Sequence, residues 1–249
     1  MARVERLPPP PAVPVRAPPV AVAGEAQARI AGLAGGPSLD ARVCAPSGAV
    51  RAVVICHPHP LYGGSMHSPV PLSIARCLSD RSGGGSGRLA WARFDFRGVG
   101  ASEGAHDHGR GEVHDVMALI EEVARRAPGA KVTVCGHSFG SWVGFRAAGH
   151  DARVDRVLLL APSQRFFGYV DAPGLEAPLG ALRSTFAGAK TIFVGDQDEF
   201  CDVDEARALA DELGADLRIF EGFDHHFLKG RRAVAEAALP VIAPEAFVP

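Results

Sequence analysis

Short runs of β-branched and apolar residues alternate with longer helical patterns from about residue 38 onward, and this alternation constrains the fold more than any other feature. Ala52–His57 (AVVICH), Leu89–Phe96, Lys131–Cys135 (KVTVC), Val154–Ala161 (VDRVLLLA), Thr191–Gly195 and Leu217–Glu221 read as strands, with Asp40–Cys44 as a weaker first one. Between them Pro69–Leu78, Glu112–Arg126, Ser138–Gly149, Val203–Leu213 and Phe227–Ile242 read as helices. Continuous apolar runs such as AVVIC belong to strands covered on both faces. Strand–helix alternation repeated this often predicts a doubly wound, mostly parallel β-sheet flanked by helices.

Composition bounds the rest. With 249 residues, 47% of them hydrophobic and 22% charged, residues 38–249 suffice for a single α/β domain with a full core. Lys and Arg total 26 against 28 Asp and Glu, a formal charge of -2, so there is no positive field to hold nucleic acid. No apolar run approaches the roughly 18 residues that span a bilayer. The five cysteines, Cys44, Cys56, Cys77, Cys135 and Cys201, are odd in number and lack C-x-x-C spacing. They read as buried, reduced thiols, from which a cytoplasmic location is expected.

Residues 1–37 read differently. Arg3, Arg6 and Arg16 are interspersed with prolines from Pro8 to Pro19, and Ala21-Val22-Ala23 resembles a signal-peptidase site. The prolines and Arg16 interrupt any apolar h-region, so the stretch is expected to be a disordered, partly polyproline arm rather than a cleaved leader.

One local pattern carries chemistry: Gly136-His137-Ser138-Phe139-Gly140, directly after KVTVC and opening a helix. A serine at a sharp strand-to-helix turn needs a strained backbone, and glycines two residues before and after remove collisions with neighbouring chain. The turn presents the hydroxyl above the sheet and turns the Phe139 amide toward a developing oxyanion, at a helix N-terminus that already favours negative charge. Ser138 is therefore the candidate nucleophile.

A serine hydroxyl needs a base, and the base an orienting carboxylate, both from loops at the C-terminal ends of later strands. Asp196-Gln197-Asp198 follows one strand and Gly222-Phe223-Asp224-His225-His226 the next. Each loop offers two candidates that spacing does not separate. A second oxyanion amide is expected from the loop His57-Pro58-His59-Pro60-Leu61-Tyr62-Gly63-Gly64, with Leu61 as donor and Tyr62 second.

Other polar clusters read as structural. His57, His59 and His67 with His106, His108 and His114 lack the spacing of a metal site. Arg97-Gly98-Val99-Gly100 has neither lysine nor an immediate helix and reads as a turn beside the site rather than a phosphate cradle. Asp196 reads as bonded to loop backbone.

Four segments together, CHPHPLYGGSM (56–66), RFDFRGVGASEG (93–104), GHSFG (136–140) and GDQDEF with GFDHHF (195–200 and 222–227), resemble the α/β-hydrolases. Within that superfamily the chain is similar to small bacterial hydrolases of dienelactone-hydrolase-like type. The resemblance implies Ser138 as nucleophile, Asp198 as acid and His225 as base, with His226 as the alternative because two histidines stand in tandem. It departs from the pattern at Phe200-Cys201-Asp202, where relatives often carry an apolar-Val-Pro sequence. Dienelactone hydrolases proper use a cysteine nucleophile, so their substrate is not carried over.

The resemblance further implies a short cap inserted at about 162–189; its length and its Phe166, Phe167, Tyr169 and Phe186 predict an open site with an aromatic wall, and Tyr62, His137, Trp142, Phe166 and Phe167 are the pocket candidates. The expected activity is hydrolysis of a small or medium carboxylic ester or thioester through an acyl-enzyme, with no metal or organic cofactor. A peptidase or acyltransferase on the same residues is the alternative, and a non-catalytic binding protein of the same fold a further one. Oligomeric state is not legible.

Overall fold

The computed structural model describes residues 20–83, 87–163 and 186–247. Eight strands form one sheet: β1 (Ala26–Ile30), β2 (Leu39–Cys44), β3 (Arg51–Cys56), β4 (Leu89–Phe94), β5 (Lys131–His137), β6 (Val154–Leu160), β7 (Ala189–Gly195) and β8 (Asp216–Phe220). They lie in the order β1-β2-β4-β3-β5-β6-β7-β8. The pairs β1/β2 and β2/β4 are antiparallel and the rest parallel. Five α-helices accompany them among the described residues: α1 (Pro69–Arg81), α2 (Arg110–Arg126), α3 (Phe139–Ala148), α4 (Val203–Leu213) and α5 (Arg231–Ile242). This is the mostly parallel, helix-flanked sheet that the alternation predicts, in the architecture that the resemblance to α/β-hydrolases implies.

Helices cover both faces. On one, Val116, Leu119 and Ile120 of α2, Trp142 and Val143 of α3 and Leu209 of α4 pack on Val54, Ala92 and Val134 of the sheet. On the other, Ile74 and Leu78 of α1 meet Val234 and Leu239 of α5 over Val53, Trp91 and Leu158. Every residue of β3 and β4 is buried, as double coverage demands. The boundaries of α4 follow from local chemistry. Asp202 accepts the Glu205 amide at 2.8 Å to cap its start, and Gly214 ends it in the left-handed region at φ 61°.

From β3 the chain crosses to β4 on one side and returns to β5 on the other. The strand order reverses between β3 and β5, and the crevice beyond their C-terminal ends is where such sheets take ligands. The loop starting at His57 and the turn at Ser138 meet there.

Two expectations are corrected. The sheet starts before residue 38: β1 pairs with β2 from Ala26↔Val43 to Ile30↔Leu39 inside the stretch read as arm. Only Ile30 of this edge strand is buried, so its sequence carries almost no hydrophobic pattern. The disorder expected of the polyproline part falls on residues 1–19, outside the described residues. The final helix starts at Arg231 rather than Phe227, because Asp224 holds the preceding turn through the amides of Phe227 (3.0 Å) and Leu228 (2.8 Å). Phe227 itself adopts a positive φ of 51° that no helix admits.

Candidate active site

Ser138 occupies the turn between β5 and α3 with φ 55° and ψ −119°, a conformation L-residues rarely adopt. The strain is sustained by tight surroundings. The Ser138 amide donates to the Leu160 carbonyl at 2.8 Å, and the Ser141 hydroxyl donates to the Gly136 carbonyl at 2.8 Å. A Cβ on Gly136 would run into the Gly140 carbonyl, and one on Gly140 into the carbonyls of His57 and Cys56. The two glycines thus let the strand, the helix and the loop after β3 converge on one point.

His225 lies on the loop between β8 and α5, 87 residues along the chain from Ser138, yet its Nε2 is 3.0 Å from Ser138 Oγ. Its Nδ1 faces both Asp198 oxygens, at 2.9 and 3.0 Å. A carboxylate only accepts, so Nδ1 carries the proton and Nε2 presents its lone pair to the hydroxyl. Asp198 Oδ1 also accepts the amides of Phe200 and Cys201, both at 2.9 Å. All three side chains are buried.

The fold separates the tandem candidates. Asp196 is exposed and its Oδ1 accepts the Gly222 amide at 2.6 Å, joining two loops. His226 is exposed and packs edge-on against His225, 5.2 Å between centroids. Asp198 and His225 are the pair brought to Ser138.

The unusual Phe-Cys-Asp sequence builds part of this site. The Phe200 ring packs edge-on against His225 at 4.9 Å. The Phe200 carbonyl accepts the Ser163 hydroxyl, and Cys201 Sγ donates to the Pro162 carbonyl at 3.7 Å. The acid loop is thereby fastened to the chain leaving β6.

The amides expected to receive an oxyanion are differently disposed. Phe139 N–H has no hydrogen-bond partner among the described residues and heads α3 beside Ser138. The Leu61 amide, however, donates to His59 Nδ1 at 3.2 Å, and the Tyr62 amide to the His59 carbonyl at 3.1 Å. The short 3-10 turn Pro60–Tyr62 folds both amides back onto His59. Of the amides in 59–64, that of His59 alone makes no hydrogen bond with a described residue.

Two of the pocket candidates and one residue of the expected aromatic wall are buried. Trp142 is fully buried in the core, with its indole N–H donating to the Ser163 carbonyl at 3.3 Å. His137 is buried, with its ring 5.3 Å from that of His225. Phe186 is buried against Phe145, 6.0 Å between rings. Tyr62 is exposed on the loop after β3. Phe166, Phe167 and Tyr169, with cap residues 164–185, lie outside the described residues.

Burial also sets the chemistry of the surrounding groups. His57 bridges Pro58 carbonyl (Nδ1, 2.6 Å) and Phe96 amide (Nε2, 3.0 Å), and burial lowers its pKa to about 3. Burial, reinforced by His106, lowers His59 to about 4. Burial pushes the Cys135 thiol up to about 12, and all five cysteines are buried. Among the described residues no group of three His, Cys, Asp or Glu is arranged to hold a metal ion, and no helix is long and apolar enough to cross a membrane. Arg97 is held by Asp115 through contacts of 2.7–3.1 Å, making the glycine-rich segment a braced turn.

Comparison with known proteins bears on the fold. A family model for serine aminopeptidases of the S33 type matches residues 87–191, a span that contains Ser138 and stops short of Asp198 and His225. A Rickettsia prowazekii protein described as uncharacterized is 28% identical over 196 residues, 75% of each chain. Among solved structures, an α/β serine hydrolase without lid from Xanthomonas campestris is 26% identical with a TM-score of 0.72, covering 93% of this chain and 100% of its own. An α/β serine hydrolase homologue from Coxiella burnetii is 26% identical with a TM-score of 0.71, over 90% of this chain and 100% of its own. A Pyrococcus furiosus esterase shares the fold at 15% identity and a TM-score of 0.72, covering 92% and 96%.

Proposed function

The chain belongs to the α/β-hydrolase superfamily, and from that premise we propose that it hydrolyses a small or medium carboxylic ester or thioester through Ser138, His225 and Asp198. The observation that carries this reading is the buried line of contacts from Asp198 through His225 to Ser138 Oγ. Three residues from three loops have no structural need to align a lone pair on a strained serine.

The reaction follows from the atoms. His225 Nε2 takes the Ser138 proton as Oγ bonds to the substrate carbonyl carbon, and the carbonyl electron pair moves onto oxygen. The Phe139 amide holds that oxyanion, and the second donor is assigned to the His59 amide, which lies on the same loop as Leu61 and makes no hydrogen bond with a described residue. Collapse breaks the bond to the alcohol or thiol, which leaves with the proton from His225. Water then gives a proton to His225 and attacks the acyl-enzyme, and the second collapse frees the acid and restores Ser138. Asp198 keeps Nδ1–H in place and stabilises the imidazolium. No step calls for a metal or an organic cofactor.

A peptidase reading rests on a separate observation, the S33 family match over residues 87–191. The same residues would serve it, with an amine as leaving group. The test is intact-mass analysis after fluorophosphonate treatment, followed by turnover of matched nitrophenyl esters, thioesters and amino-acid nitroanilides. One adduct on the protein, absent in Ser138→Ala, with esters or thioesters turned over faster than anilides, supports the proposal. Faster anilide turnover selects the peptidase. Absence of any adduct selects a non-catalytic binding protein.

A further inference from the structure

His137 stands immediately before Ser138 and is 2% exposed. Its Nε2 lies 2.9 Å from the main-chain carbonyl oxygen of His225. A carbonyl only accepts, so Nε2–H is the donor and Nδ1 is left as a bare lone pair. That Nδ1 is buried and has no hydrogen-bond partner among the described residues. Burying an unsatisfied polar atom is costly, and an apolar side chain would pack there without that cost.

The surroundings add to the cost. The His137 ring lies 5.3 Å from the His225 ring, 6.0 Å from His226 and 6.2 Å from Phe227. Burial, reinforced by His225, holds its pKa well below the ordinary range, so the ring stays neutral and cannot compete with His225 for the proton of Ser138. What the imidazole contributes is one bond. That bond ties the end of β5 to the loop between β8 and α5, 88 residues further on, and joins the residue beside the nucleophile to the backbone of the base.

We infer that His137 is a positioning residue that sets the distance between Ser138 Oγ and His225 Nε2 through its hydrogen bond to the His225 carbonyl. Asp198 fixes the direction in which the His225 ring points, and His137 fixes where the backbone that carries it sits. Without the second tether the β8–α5 loop is free to drift. A displacement near 1 Å costs on the order of 10²-fold in rate when it falls between reacting groups. The inference rests on the serine-hydrolase reading for its catalytic consequence and on the hydrogen bond alone for its structural one.

The test compares His137→Gln, His137→Asn and His137→Leu. A Gln side-chain amide reaches about as far as Nε2, whereas Asn reaches only about as far as Nδ1. Fluorophosphonate labelling and nitrophenyl-ester turnover are expected to fall about 10- to 100-fold in the Leu and Asn variants, in kcat with KM unchanged, and to stay within about threefold in Gln. The Gln and Asn variants remain the decisive pair if Leu does not fold. In parallel, the downfield proton resonance of His225 Nδ1–H is expected to persist in Gln and to broaden or vanish in Asn. Asn matching Gln in both rate and resonance, or folded Leu labelling as fast as the unaltered protein, overturns the inference. If the unaltered protein is not labelled at all, the serine-hydrolase reading fails by itself, and the resonance still decides whether His137 holds His225.

Discussion

The Arg93 guanidinium and the Glu25 carboxylate form an ion pair removed from solvent, Nη2 to Oε2 at 2.6 Å, with the side chains 0% and 1% exposed. Glu25 also accepts the Trp91 indole N–H at 3.1 Å, and Arg93 donates to the carbonyls of Val20 at 2.6 Å and Met66 at 3.0 Å. The segment before β1 is thereby fastened to the central strand β4 and to the loop that follows β3. Removing one partner leaves the other charge buried and alone. Glu25→Ala is expected to lower unfolding stability by about 3–5 kcal/mol, read as a shift in urea midpoint at constant slope. A shift below about 1 kcal/mol would show water reaching Arg93 freely.

Asp198→Asn tests the proton inventory of the site. An Asn amide turned toward His225 would donate to Nδ1, moving the imidazole proton to Nε2 and leaving no lone pair for Ser138. Turnover is expected to fall by about 10⁴-fold with the fold intact, the size of this effect in other Ser-His-Asp sites. Steady-state ester hydrolysis and a thermal midpoint check it together. Loss of less than about tenfold would remove Asp198 from the proposed machinery.

Acid sensitivity follows from three neutral histidines. Burial lowers His57 to about 3 and His59 to about 4, and places His137 well below its ordinary 6.5. Each pKa is depressed in the fold, so the unfolded chain binds more protons below 6.5. Stability from these groups is complete above about pH 6.5 and is lost as pH falls toward 4. Each contributes a slope of up to about 1.4 kcal/mol per pH unit within that window. Urea midpoints at pH 7, 6 and 5 measure it, and midpoints unchanged between 7 and 5 would contradict it.

Gly140→Ala tests the convergence of the loops. Its Cβ would meet the carbonyls of His57 and Cys56 on rigid backbone. The clash is expected to cost about 1–3 kcal/mol and to shift the loop that carries His59, so that fluorophosphonate labelling slows more than tenfold. A variant as stable and as reactive as the unaltered protein would refute the close approach.

What the sequence alone determined was local. Periodicity over a few residues marks KVTVC as a strand and Val203–Leu213 as a helix, because capping by Asp202 and Gly214 acts within one turn. The elbow was legible for the same reason: its glycine spacing answers steric demands made within five residues, and Ser138 adopts the strained backbone that the spacing anticipates. Tertiary structure decided whatever depends on two distant loops meeting. Sheet register, not spacing, selects Asp198 over Asp196 and His225 over His226. Only the path of the Pro60–Tyr62 turn occupies the Leu61 amide, and only the packing of α3 places Trp142 in the core. Strand β1 is not legible in the sequence because an edge strand with one buried residue is held by its partner and, through Glu25, by Arg93, and neither is encoded in its own pattern. His137 shows the same division. Its place in the elbow is written in five residues, and its bond to His225 exists only because strands β5 and β8 end on the same side of one sheet.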